Sequence, residues 1–167
     1  RADTRREIAE ALDEAWEAGG NLLVPAFAIG RTQELLTLFA QHYEEWRLDR
    51  WLLFVDSPMA IQATAAHLRH HELFNDQARP LFDGRGLREL LPNLRETAGT
   101  DESMRINQVR RGALIIAGSG MCTGGRILHH LRHNLWRREC RVMIVGYQGE
   151  GTLGRRLVDG ADRVTIH

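Results

Sequence analysis

Apolar positions along this chain alternate between helical stripes and short continuous runs. Across residues 4–18, Ile8, Ala11, Leu12, Ala15 and Trp16 recur at helical spacing, and Gly19-Gly20 stops the pattern. Leu22 to Phe27 is an unbroken apolar run, the signature of a buried strand, with Pro25 marking where sheet pairing finishes. Gly30-Arg31-Thr32 opens a second helix whose core side holds Leu35, Leu36, Leu38 and Phe39. Trp51 to Val55 predicts another strand, ending in Asp56-Ser57-Pro58. Ser57 suits a helix cap and Pro58 a first helical position, so a helix follows to about His70.

Residues 75–93 carry Pro80, Gly84, Gly86 and Pro92, and predict a surface excursion with one short helix near Leu87 to Leu91. Leu94 to Ala98 reads as a short strand, and Thr100 to Ser103 as the cap of a short helix. A strand at 113–117, a helix at 124–135 and a strand at 142–146 come next. Thr152 to Val158 predicts a short helix closed by Gly160, and Val164 to Ile166 the start of a last strand.

Strand and helix alternate throughout. That order implies one α/β domain over residues 1–167: three layers, a mostly parallel open sheet and helices on both faces. Ligands of such sheets meet the carboxyl ends of the strands. Four turns fall there: Ala26 to Arg31, Asp56-Ser57, Gly118 to Arg126 and Gly146 to Arg155. The third is the richest, Gly-Ser-Gly-Met-Cys-Thr-Gly-Gly-Arg between an apolar strand and an amphipathic helix. A helix N-terminus carries unpaired N–H groups and about half a positive charge, which suits phosphate. The spacing matches neither a P-loop nor G-x-G-x-x-G. One such turn serves equally as punctuation; four on one rim predict a surface for an extended, phosphate-bearing ligand. The candidate contacts are Arg31, Ser57, Ser119, Gly120, Thr123, Gly124, Gly125, Arg126, Thr152 and Arg155.

Composition narrows the setting. The chain has 167 residues, 43% hydrophobic and 26% charged, as expected of a soluble globular domain. No apolar run approaches the roughly 20 residues that span a bilayer, and the charged first helix lacks the apolar core of a signal peptide. Cys122 and Cys140 form neither a zinc pattern nor a disulfide framework, so a reducing cytoplasm is the expected compartment. The formal net charge is zero and gives no global attraction for nucleic acid. All 22 basic residues are arginine, as GC-rich coding produces. Seven of them (110, 111, 126, 132, 137, 138 and 141) concentrate in one part of the chain, allowing a local basic face.

The turns together carry a family resemblance. PAFAIGRTQELL (25–36), DSPMA (56–60), AGSGMCTGGRILHHL (117–131) and GYQGEGTLGRRL (146–157) resemble, in that order, the beta-CASP region of metallo-β-lactamase-fold RNA-processing nucleases. The likeness covers nearly the whole chain and points to bacterial and archaeal RNA-specific metallo-hydrolases, relatives of the cleavage and polyadenylation endonuclease and ribonuclease J. It implies an insertion domain that lids a two-zinc site and helps hold RNA, which it shares with a lactamase-like part. That family's HxHxDH, EST-type, SAH and VHGE motifs are absent here. The expectation is therefore an excised RNA-binding lid without catalytic residues, metal ligands or a cofactor of its own. The resemblance implies two zinc ions in the parent enzyme, and the seam exposed by excision could by itself produce a homodimer.

Other residues invite sharper readings. His129 and His133 share a helix face as zinc ligands do, but no Glu or third ligand accompanies them, which favours a solvated face. Asp56 and Glu150 are rim carboxylates placed to pair with Arg31, Arg126 or Arg155. Cys122, at a helix N-terminus, is a candidate for a lowered thiol pKa. The four Trp residues are expected to pack rather than stack on bases. A stand-alone nucleotide- or phosphometabolite-binding module is the alternative to the nuclease lid.

Overall fold

The computed structural model describes residues 2–167. In chain order the elements are α1 (Ala2–Ala18), β1 (Leu22–Pro25), α2 (Arg31–Gln41), β2 (Leu52–Val55), α3 (Pro58–Arg69), α4 (Arg79–Phe82), α5 (Leu87–Leu90), β3 (Leu94–Glu96), α6 (Thr100–Ile106), β4 (Ala113–Ala117), α7 (Arg126–Asn134), β5 (Arg141–Val142) and α8 (Leu153–Val158). The sheet is entirely parallel, in the order β3-β2-β4-β1-β5. Leu22 aligns with Leu114 and Leu53 with Leu94, so the apolar runs stack in register.

Period-two alternation splits the core. Leu22, Val24, Leu53, Val55, Leu114 and Ile116 pack under α1, α2 and α3. Leu23, Phe54, Ala113, Ile115 and Ala117 pack under α6 and α7. The fold is thus the three-layer α/β arrangement that the alternation predicts. β1 and β4 are neighbours, yet the helices that follow them lie on opposite faces. Their carboxyl ends therefore form the topological switch point, where a doubly wound sheet opens a crevice.

Several elements differ from expectation, for identifiable reasons. The strand expected over 142–146 is only Arg141–Val142, extended by the Met143 amide bonded to the Leu23 carbonyl at 2.9 Å. The next rung would need an amide from Pro25, which has none. The segment 164–166 is not a strand: Arg132 and Arg156 donate to the Ile166 and Arg163 carbonyls, holding it beside the helices. Residues 75–93 are no mere surface excursion. Phe74, Ala78, Phe82, Leu87, Leu90 and Leu91 are core residues, and Phe74 meets Phe82 edge-on at 5.3 Å. The α6 cap is Gly99, whose amide is held by the Glu102 carboxylate at 3.0 Å, and Ser103 turns inward instead. Trp16 and Trp51 form a T-shaped pair at 5.3 Å and Trp46 is buried, but Trp136 is exposed.

Candidate functional site

Asp56 follows the last residue of β2 and is fully buried. Its Oδ1 accepts from the Thr97 hydroxyl at 2.7 Å and from Arg126 Nη1 at 2.8 Å. Its Oδ2 accepts from the Ser103 hydroxyl and from His130 Nε2 at 2.6 Å. Burial raises its pKa, but the bonds from His130, Ser103 and Thr97 together outweigh that and hold it at about 2. A carboxylate ionised at neutral pH can only accept, so His130 carries its proton on Nε2. The Nδ1 atom of His130 is buried with no hydrogen-bond partner among the described residues. One side chain thereby ties β2, the segment after β3, α6 and α7 together. The sequence suggested only the Arg126 partner; Thr97, Ser103 and His130 were missed, because three distant segments converge on Asp56 only in the fold.

Each rim residue has a definite place. Arg126 points inward, with two more bonds to the Thr97 and Ala98 carbonyls at 2.9 and 2.7 Å. Arg31 pairs with Glu34 at 2.6 Å and Arg155 with Asp159 at 3.2 Å. Glu150 makes no salt bridge with any of these arginines among the described residues. Ser57 caps α3 by accepting from the Ala60 amide at 3.1 Å, and Thr152 caps α8 by accepting from the Arg155 amide at 3.2 Å. Ser119 Oγ accepts from the Thr123 and Gly124 amides at 2.8 and 3.1 Å, so the glycine loop satisfies several of its own donors.

Gly125 adopts φ +75°, and a Cβ there would stand 2.4 Å from the Gly118 carbonyl oxygen. Gly120 lies under the Phe27 ring, which a Cβ would meet at 2.8 Å. The two turns of the switch point therefore touch, and Phe27 keeps 47% of its surface exposed above them. Ile29 and Tyr147 on the turns, and Met59 at the start of α3, are exposed on the same rim. Sequence reasoning, directed at phosphate, passed over these apolar groups.

Cys122 does not have a lowered pKa. It is 2% exposed, and burial pushes its thiol up to about 11. Under native conditions a thiol-reactive disulfide reagent is expected to modify Cys140 at least about tenfold faster than Cys122, read by mass spectrometry of the labelled peptides. Faster labelling of Cys122 would contradict this burial. His129 and His133 are both exposed, and His133 Nδ1 bonds the His129 carbonyl at 2.8 Å. Among the described residues no group of three His, Cys, Asp or Glu is placed to hold a metal ion. The side chains present thus do not fit the two-zinc centre that the resemblance implies for a parent enzyme. Among the described residues no helix is long and apolar enough to cross a membrane.

Fold and rim define a doubly wound, all-parallel α/β domain whose turns converge at a topological switch point. The chain belongs to the Beta-Casp domain family, whose model matches residues 32–157. It is 35% identical over 165 residues to Ribonuclease TTHA0252 of Thermus thermophilus, covering 98% of this chain and 38% of that protein. It is 30% identical over 167 residues to Transcription termination factor FttA of Methanocaldococcus jannaschii, covering 99% and 26%. An RNase J-like protein of the same organism is 30% identical over 164 residues, covering 98% and 37%. The chain thus spans between 26% and 38% of the length of these relatives.

Proposed function

We propose that this domain is the RNA-contacting part of a larger RNA-processing nuclease, with hydrolysis carried out by a metal centre in a metallo-β-lactamase-like part of the same enzyme. The near-complete alignment of the chain with a protein named a ribonuclease carries this reading. RNA would lie along the carboxyl ends of the strands, against Ser57, the Gly118 to Arg126 loop and the α8 cap.

The geometry shapes the mode of contact. Arg31, Arg126 and Arg155 are each engaged by a carboxylate of the domain itself, which weakens their pull on phosphate. The exposed rings of Phe27 and Tyr147 are sequence-tolerant surfaces on which unstacked bases rest. Single-stranded RNA is therefore expected to bind this chain with a shallow salt dependence, a log–log slope of magnitude below about 1.4, equivalent to about two phosphates. Phe27→Ala and Tyr147→Ala should each weaken it about fivefold or more, since base stacking contributes about 1–3 kcal/mol per base.

Fluorescence anisotropy with a labelled single-stranded RNA at several salt concentrations checks both expectations. A steep salt slope with unchanged affinity in the two variants would remove the rings from the interface. Saturable binding of a mononucleotide, with none of RNA, would replace the proposal by a stand-alone nucleotide-binding module.

A further inference from the structure

The β3 edge of the sheet is open and lies in a groove of about 900 Å³. In a parallel ladder, alternate residues direct their N–H and C=O groups to the same neighbour. The Asn93 carbonyl and the Thr97 amide both bond to β2, so Arg95 between them faces β2 as well. Leu94 and Glu96 consequently turn their backbone groups away from the sheet. The Leu94 amide is taken by the Leu91 carbonyl at 3.0 Å, which leaves the Leu94 carbonyl and both Glu96 groups directed into the groove.

The groove walls are helices that stand back from this edge on both faces of the sheet. Leu68 of α3 and Leu87 of α5 form one wall; Ile106 of α6 and Val109 just beyond it form the other. Edge strands are usually kept short, blunted by charge or covered by a helix or loop; β3 is three residues long and carries Arg95 and Glu96, yet an apolar-walled groove flanks it uncovered. Three exposed arginines line it, Arg88, Arg95 and Arg105, and none makes a salt bridge among the described residues. Of the two carboxylates present, Glu102 is committed to the Gly99 amide.

We infer that the β3 edge is a docking slot for an extended, acidic segment of a partner protein, which adds to the sheet as a sixth strand. The partner's backbone pairs with Leu94 and Glu96. Apolar side chains on alternate positions pack on one apolar wall, and the carboxylates between them, on the opposite face, meet the exposed arginines. The net positive lining disfavours a second copy of this edge, which would set like charges against one another. This inference is independent of the RNA-binding rim, which lies on the turns at the strand ends.

The test uses the full 167-residue chain, isotope-labelled for amide NMR, and two synthetic hexapeptides of alternating valine with either glutamate or lysine. The acidic peptide should shift the amides of residues 94–96 and 105–109 and leave the glycine loop unmoved. Arg95→Glu with Arg105→Glu should weaken it about tenfold and reverse the preference toward the lysine peptide. Glu96→Pro removes one outward donor at an edge position that tolerates proline, and should weaken binding while the remaining spectrum stays native. Several results would overturn the inference: no shift at millimolar peptide, shifts centred elsewhere, full binding by Glu96→Pro, or a preference of this groove for single-stranded RNA over the peptide.

Discussion

Replacing Asp56 by alanine is expected to remove about 4 kcal/mol of folding stability, measured by urea unfolding followed by circular dichroism. Asp56 is fully buried and accepts four side-chain donors, from Thr97, Ser103, Arg126 and His130. Truncation leaves a guanidinium, an imidazole and two hydroxyls without their acceptor, and each must be solvated or stay unsatisfied. Two of those donors lie on α7 and one on α6, so the loss loosens the helix layer on one face of the sheet. Arg126 keeps its bonds to the Thr97 and Ala98 carbonyls, which limits the damage. A loss below about 1 kcal/mol would mean that water replaces the carboxylate and that the network carries little net stability.

The same residue gives a pH dependence of defined sign. Its folded pKa of about 2 lies below the ordinary 3.8, so the folded protein favours the ionised form. The stabilisation is complete above about pH 4 and is lost as the pH falls from there toward 2, amounting to about 2 kcal/mol. In the alanine variant, stability should vary less across that interval than in the natural chain. Equal slopes in the two proteins would assign the acid sensitivity to other carboxylates.

Replacing Gly125 by alanine is expected to cost about 3 kcal/mol or more and to disorder the glycine loop. Two independent terms add. At φ +75° any L side chain is strained, and the new Cβ would lie 2.4 Å from the Gly118 carbonyl oxygen. That oxygen cannot retreat freely, since it accepts the Ile127 amide that begins α7 at 2.9 Å. Gly124→Ala provides the contrast, since a Cβ there meets nothing within 4 Å. Thermal unfolding of both variants should show a large fall in midpoint for the first and a small one for the second. Similar midpoints would show that the loop relaxes around the added methyl group. RNA binding measured on the two proteins would then separate loop geometry from stability.

Much of this architecture was legible in the chain. Apolar runs of four or five residues spaced by amphipathic stretches define parallel strands and crossover helices, because burying both faces of a strand demands continuous apolar sequence. Ser57-Pro58 marked the start of α3 correctly, because capping and proline geometry are local properties. The four turns and their order were also readable, and with them the family. Where expectations failed, a partner distant in sequence decided. The fifth strand is short because Pro25, more than a hundred positions earlier, has no amide to offer. Ser103 serves Asp56 rather than a cap, and Cys122 sits in a core that raises its pKa rather than at an exposed helix end.

Local pattern determined the elements, their order and the rim on which they end, since hydrophobic period, caps and glycines act within a few residues. Only the tertiary structure decided which rim groups stay available. It drew Arg126 and His130 inward onto Asp56, spent the Ser57 and Thr152 hydroxyls on caps, and left Phe27 and Tyr147 exposed. The physical reason is that a buried charge must find its counter-charges and donors wherever the fold places them. Those partners come from segments that no local reading of the chain connects.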